Sequence, residues 1–141
     1  MNSMEERRRF PRYSVYCPIE YKGDEERPRA YSVTLNISEI GALIAAKSFI
    51  NISAHLLLRM VFKGEEFFIR SRAVRIEKGS EDDSYNVGVE FLEKPFFFVR
   101  KLYEELESIM IYQRQYSKEM GVDMSLAEAS VKWYSNTRMW M

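Results

Sequence analysis

A hydrophobic period of two runs through most of the chain up to residue 91 and constrains the fold more than any other feature. Apolar and polar residues alternate in short segments, which are separated by glycine and charged residues. Because successive side chains of a strand point to opposite faces, this alternation predicts half-buried β-strands. The predicted strands cover residues 14–21, 31–37, 42–46, 55–62, 66–78 and 85–91. Six short antiparallel strands joined by compact turns predict a small closed barrel or a sandwich of the mainly β class.

The second predicted strand ends in a turn that is rich in polar residues. Its apolar residues are the odd-numbered ones, which places Tyr31 and Ile37 on one face and Thr34 and Asn36 on the other. A tight turn is predicted at residues 38–41, where Gly41 can take a positive φ at little cost.

Beyond the strands, the period changes to that of an α-helix. Apolar residues recur every three or four positions over about 96–120, which predicts a helix with one apolar stripe. Gly121 is suited to end it. Ser125 and Glu128 have the spacing of a capping box, so a second, shorter helix is expected over 126–138.

Three regions follow from this organisation. We expect a flexible, arginine-rich arm at 1–12, a β-barrel domain at 13–94 and a C-terminal helical segment at 95–141. The last helix has more apolar residues than a free tail needs. It is therefore expected to pack on the barrel or on a partner, and a homo-oligomer formed through these helices is one such arrangement.

Composition argues against several classes of protein. The 141 residues include 21 basic and 21 acidic side chains, whereas a nucleic-acid-binding domain normally has a basic surplus. The single Cys17 cannot form an internal disulfide, and no apolar run reaches the roughly 18 residues of a membrane span. With His55 as the one histidine, neither a zinc site nor a Ser-His-Asp triad can be assembled. We expect a cytoplasmic protein that is not an enzyme, binds no metal or cofactor and does not insert into membranes.

Arginines near the N-terminus have the chemistry of a ligand site. Arg8 and Arg12 have an R-x-x-x-R spacing just before the first strand, and Arg7 precedes them. Guanidinium groups can hold phosphate oxygens or the O6 and N7 edge of guanine in paired hydrogen bonds, and they also stack on bases. The alternative for the arginines alone is a solvated basic tail.

A second cluster lies at the end of the second strand. Asn36, Ser38 and Gly41 form an N-x-S-x-x-G pattern, in which an amide, a hydroxyl and turn N–H groups can meet a ligand. Ordinary turn chemistry, with Asn and Ser bonding nearby backbone, is the alternative, and the two roles can coexist.

The two motifs in this order, followed by the strand at 87–91, resemble the PilZ family over about residues 7–105. The family pairs R-x-x-x-R with D/N-x-S-x-x-G on a six-stranded antiparallel barrel, usually with a helix after the last strand. The resemblance implies that Arg8 and Arg12 grip the guanine and phosphates of cyclic di-GMP. Asn36, Ser38 and Gly41 would then line the barrel face on which a guanine lies. Arg7 would contact a second, intercalated nucleotide.

The function that this resemblance implies is signalling. We expect the arm to order over the dianionic ligand and to change the contact with an unidentified protein partner. One alternative is a PilZ-like adaptor that binds a protein and no nucleotide, although such an adaptor has no need of Arg8, Arg12, Asn36 and Ser38. Another is a small β-barrel that binds RNA or single strands, which the zero net charge disfavours.

Overall fold

The computed structural model describes residues 10–23 and 29–137. The strands are β1 (Pro18–Gly23), β2 (Ala30–Ile37), β3 (Gly41–Ala46), β4 (His55–Phe62), β5 (Glu65–Lys78) and β6 (Tyr85–Glu93), and the helices are α1 (Phe98–Met120) and α2 (Leu126–Thr137). The strands are antiparallel and close into a barrel in the order β1-β2-β3-β6-β5-β4, with β4 paired to β1. The predicted six-stranded barrel with C-terminal helices is confirmed.

The interior of the barrel is filled by the alternating residues of its strands. In β4, every second residue from Leu56 to Phe62 is buried, as the period of two predicted. All six strands contribute an aliphatic side chain that is almost completely buried: Ile19, Ile37, Ile44, Leu58, Ile69 and Val87. Closure pairs each strand on both sides, so the barrel has no open sheet edge.

The face assignment for the second strand was wrong. The β2–β3 ladder shifts register between Thr34 and Asn36, and as a result Thr34 and Ile37 are both buried in the barrel while Tyr31 is 66% exposed. The Thr34 hydroxyl is satisfied there by two backbone groups of the segment that precedes β1. Such a register shift is a β-bulge, which changes the face that a side chain occupies. It leaves Asn36 on the outside of the barrel.

The first strand begins later than predicted. Its ladder starts at Pro18, which has no N–H to donate, and the preceding residues run beside β2 with isolated hydrogen bonds instead. The predicted alternation still holds, because Val15, Cys17 and Ile19 are all buried.

An aromatic cluster closes one end of the barrel under α1. Phe98, the first residue of the helix, is completely buried, and its ring centroid lies 5.6 Å from those of Phe67 and Phe91 and 5.8 Å from that of Phe62. Two of these pairs meet edge to face, the arrangement that the ring quadrupole favours. The helix therefore completes the core of the barrel.

The ends of the helices follow local sequence signals, with one exception. The helix predicted over about 96–120 is confirmed, but it begins at Phe98, because Phe97 takes a left-handed φ of 70° in a turn. Gly121 ends α1 in the left-handed region, as predicted. The capping box is confirmed, because the Glu128 N–H donates to Ser125 Oγ over 3.1 Å and the Glu128 carboxylate accepts from Ser125 in return.

A buried polar network joins the barrel to both helices. Glu105 of α1 is 2% exposed and accepts hydrogen bonds from the Lys63 N–H (3.0 Å) and the Tyr134 hydroxyl of α2 (2.9 Å). The same hydroxyl lies 3.5 Å from Cys17 Sγ. The carboxylate is thus compensated by hydrogen bonds, as a buried charge requires. This network and the apolar stripe hold α2 against α1 and the barrel.

Burial of Cys17 predicts a pH dependence of stability. Desolvation raises the pKa of this thiol from 9.0 to about 12, so the unfolded chain releases the thiol proton first as the pH rises. The stabilising contribution is complete below pH 9 and is lost between pH 9 and about 12, with a slope of up to about 1.4 kcal/mol per pH unit. We expect the free energy of unfolding, measured with urea, to fall less steeply over this range in Cys17→Ala than in the wild type.

The free energy of unfolding is also measured near neutral pH, as a control. There Cys17→Ala should be less stable, because it leaves a cavity, so only the slope is diagnostic. An equal slope in both proteins would assign the alkaline loss to other groups, such as Tyr103 and Tyr134, whose pKa values are also raised by burial.

Candidate ligand-binding site

The structure brings the end of the arm next to the N-x-S-x-x-G pattern. Tyr13, which follows the exposed Arg12, exchanges two backbone hydrogen bonds with Ile37: its N–H donates to the Ile37 carbonyl over 2.8 Å and its carbonyl accepts over 2.9 Å. Ile37 lies between Asn36 and Ser38. Arg12 therefore lies beside the pattern. The predicted site residues Arg7 and Arg8 lie outside the described residues.

Ser38 has a structural role in the turn between β2 and β3. Its hydroxyl accepts the N–H of Ile40 over 3.2 Å and lies 3.4 Å from the Gly41 carbonyl, while its backbone N–H donates to the same carbonyl over 2.9 Å. Ser38 is 4% exposed. Ser38 therefore bonds nearby backbone, which is the alternative role that the sequence left open for it. These hydrogen bonds fix the shape of the turn.

The reason predicted for Gly41 was wrong. Gly41 does not adopt a positive φ; among the described glycines, Gly64 and Gly121 do. Instead, Gly41 pairs with Glu90 of β6, and a Cβ atom at this position would collide with the Val89 carbonyl oxygen. Glycine is required here by the close approach of two backbones.

A row of four residues crosses the outside of the barrel next to this turn. Asn36 of β2 is opposite Leu43 of β3, Leu43 is opposite Gly88 of β6, and Gly88 is opposite Arg75 of β5. Residues that pair directly across strands share a face of the sheet. Their sequence neighbours Ile37, Ile44 and Val87 are buried inside. We call these four residues the outer row.

Arg75 lies along the sheet at the end of the outer row. An ideal Cβ on Gly88 would be 3.4 Å from the Arg75 Cβ and 3.7 Å from its Nε, so the missing side chain leaves room for the arginine. The Nε is 3.5 Å from a Glu77 carboxylate oxygen but makes no hydrogen bond. The guanidinium group is planar and can stack on a planar ring.

Asn36 supplies the polar group at the other end of the outer row. It is half-buried, and within the described part of the chain its amide has no hydrogen-bond partner. An amide presents a donor and an acceptor side by side, which suits the edge of a base. The outer row therefore combines an arginine side chain with an amide. Arg12 lies next to Ser38, two residues after Asn36 in the sequence.

Sequence reasoning missed Arg75. The glycine inside the strand at 87–91 indicates the close approach of another group, but it does not identify which residue approaches. The register that sets Arg75 opposite Gly88 includes irregularities on both sides of Ala73. The alternation of apolar and polar residues could therefore not predict that Arg75 pairs with Gly88.

A second surface feature lies on the opposite side of the barrel, over β1 and β4. A groove of about 100 Å³ there is lined by residues that include Glu20, Leu57 and Arg59. Arg59 binds Glu20 over 2.6 Å and Glu66 over 2.5 Å. Arg59 is thus ion-paired with two carboxylates, and the groove lies apart from the N-x-S-x-x-G pattern.

In residues 10–23 and 29–137, no group of three or more His, Cys, Asp or Glu side chains could hold a metal ion. The helices of the same residues include none that is long and apolar enough to cross a membrane.

The fold and the site define a small closed-barrel domain with a polar turn and an outer face that carries Arg75 and the Asn36 amide. Comparison with protein families gives this class a name. Residues 6–96, more than half of the chain, match the model of the PilZ domain. The chain therefore belongs to the PilZ domain family, and the predicted resemblance is confirmed.

Solved structures share the fold at low sequence identity. The Bacillus subtilis inhibitor of motility MotI/DgrA aligns with a TM-score of 0.61 at 14% identity, over 74% of this chain and 52% of that one. The K. pneumonia MrkH–c-di-GMP complex aligns with a TM-score of 0.61 at 15% identity, over 78% and 54%. The PilZ domain of Escherichia coli YcgR with c-di-GMP aligns with a TM-score of 0.57 at 11% identity, over 82% and 98%.

These likenesses establish the fold alone. The chain spans about half the length of MotI/DgrA and of MrkH. A search of curated protein sequences found no match.

The close approach at Gly41 predicts a sharp sensitivity to a single methyl group. We expect Gly41→Ala to lower the free energy of unfolding by about 1–3 kcal/mol, because the β3 and β6 backbones must move apart. Gly23→Ala is the matched control: a Cβ there meets no atom within 4 Å, and a change within about 0.5 kcal/mol is expected. Urea unfolding measures both, and equal losses would contradict the steric explanation.

Proposed function

We propose that this chain binds cyclic di-GMP at the outer row and acts as a signalling module that changes a protein contact. The observation that carries the proposal is the backbone exchange between Tyr13 and Ile37, which puts Arg12 next to Ser38 at the turn between β2 and β3. Membership of the PilZ family supports it. MrkH and the YcgR domain, which share the fold, were solved with c-di-GMP.

Each residue of the site has a role in this proposal. Arg8 and Arg12 bind the phosphates and the O6 and N7 edge of a guanine, and Arg7 contacts a second nucleotide in a stacked pair. Asn36 bonds the edge of the guanine that lies on the outer row, and Arg75 stacks on a base. Ser38 and Gly41 act by shaping the turn.

Ordering of the arm is the proposed switch. Folding a segment over a ligand costs conformational entropy, and charge-assisted hydrogen bonds worth roughly 1.5–3 kcal/mol each must exceed that cost. Three or four of them with stacking reach micromolar affinity, about −8 kcal/mol. The ordered arm then presents a new surface to a protein partner. We infer a cytoplasmic receptor without catalytic activity, in keeping with the single, buried thiol.

A nucleotide-independent adaptor is the second candidate. The observation in its favour is that Ser38 and Gly41 have structural roles that need no ligand. Against it, the turn does not account for the Arg75 side chain that lies over Gly88 or for the exposed Arg12 next to Ser38.

Calorimetric titration of cyclic di-GMP tests the proposal. We expect micromolar or tighter binding by the wild type and at least tenfold weaker binding by Arg12→Ala, because charge-assisted contacts to the ligand are lost. Arg114→Ala, which removes an exposed arginine of α1, is the matched control and should bind like the wild type. GTP serves as the control ligand. The fitted stoichiometry of the wild type tests the role of Arg7.

No heat at high micromolar ligand, with the protein shown to be folded, would reject the receptor and favour the adaptor. Equal weakening by Arg12→Ala and Arg114→Ala would mean that the ligand responds to overall charge and not to this site.

Arg75 allows a separate test of stacking on the outer row. We expect Arg75→Ala to weaken cyclic di-GMP binding by about tenfold, since stacking on a base is worth roughly 1–3 kcal/mol. Arg75→Lys keeps the charge without the planar group and should weaken binding nearly as much. If Arg75→Lys binds like the wild type, charge and not stacking is the contribution of Arg75.

A further inference from the structure

The turn that carries the N-x-S-x-x-G pattern contacts α1 at its tip. The Tyr103 hydroxyl of α1 donates to Glu39 Oε2 over 2.7 Å. Lys94, in the connection between β6 and α1, donates from Nζ to the Glu39 carbonyl over 3.0 Å. The tip of the turn is therefore bonded both to the helix and to the segment that leads into it.

Tyr103 also contacts the residue that directly follows the arm. Its ring packs edge to face against Tyr13, with centroids 6.2 Å apart and an interplanar angle of 87°. Tyr13 follows Arg12 directly and is bonded to Ile37. One side chain of α1 thus touches both parts of the candidate site, which are far apart in sequence.

The base of the turn is fixed independently. The Ile40 carbonyl accepts from the Phe91 N–H over 2.9 Å, and Ser38 bonds Ile40 and Gly41 within the turn. The freedom that remains is at Glu39, whose described hydrogen bonds are those to Tyr103 and Lys94. If Glu39 shifts, Tyr103 of α1 must therefore shift with it or lose its hydrogen bond to Glu39.

We propose that Tyr103 is a positioning residue for the ligand site and that it couples occupancy of the site to α1. It holds Glu39 and Tyr13 in the arrangement that receives the ligand, so a ligand that orders the arm also changes the Tyr103 contacts. Coupling of this kind is reciprocal. If the contacts of α1 increase the affinity for the ligand, ligand binding stabilises α1 by the same free energy. The inference rests on the proposed function for the identity of the ligand.

The coupling reaches the rest of the C-terminal segment through α1. Glu105, two residues after Tyr103, bonds Tyr134 of α2. Hydrogen bonds between side chains therefore connect α1 to the candidate site and α2 to α1. In this proposal the two helices form the part of the molecule whose surface a ligand can alter.

The test is a double-mutant cycle on ligand affinity with Tyr103→Phe, Glu39→Ala and the double variant. We expect each single variant to weaken cyclic di-GMP binding by about fivefold, the low end of measured couplings, and the double variant to be no weaker than either. Glu39→Gln keeps an acceptor oxygen and should restore most of the affinity. Tyr116→Phe, another tyrosine of α1, is the matched control without an effect.

Hydrogen exchange provides a readout that a merely structural role would not change. In the wild type, the ligand should raise the protection of amides 98–106 of α1, and in Tyr103→Phe this increase should be lost. Additive effects in the cycle, or an equal ligand-induced increase in both proteins, would overturn the coupling.

Failure of the proposed function is distinguishable from failure of the coupling. If the wild type does not bind cyclic di-GMP, the proposed function fails, and the ligand-free proteins then test the coupling. Faster exchange of amides 38–41 in Tyr103→Phe than in Tyr116→Phe supports it, and equal exchange overturns it.

Discussion

The register shift in β2 is the constraint on which the candidate site depends. With an unbroken ladder, Thr34 and Asn36 would share a face, and the amide would point into an apolar barrel. The shift lets Thr34 and Ile37 both enter the core and turns Asn36 outward. Thr34 makes this possible because its hydroxyl is satisfied inside by backbone groups before β1. A polar core residue therefore determines which polar residue reaches the surface.

The period of two was sufficient to predict six strands, because most of the barrel interior is encoded by regular alternation, as in β4. It left a barrel and a sandwich open, and the resemblance to the PilZ family decided for the barrel. Local signals predicted the caps at Gly121 and Ser125 equally well. What failed depended on contacts between distant segments. The β2 register depends on the chain before β1, and the need for Gly41 comes from β6.

The candidate site was predictable in part for the same reason. The pattern of Asn36, Ser38 and Gly41 is local, so the sequence located it correctly at the end of a strand. Arg75 and Tyr103 reach the site only through the pairing of β5 with β6 and the packing of α1. Neither position has a local signature, and both required the fold.

The aromatic cluster at the end of the barrel has a consequence for where this domain ends. The PilZ match stops at residue 96, but Phe98 fills the barrel beside Phe62 and Phe67. A chain cut at that limit would leave these rings facing water and would leave the Lys63 N–H without its Glu105 partner. The segment that matches the family is thus shorter than the segment that folds as one unit. The helices are an integral part of the hydrophobic core. A protein that binds the helices therefore binds the same folded unit as the barrel.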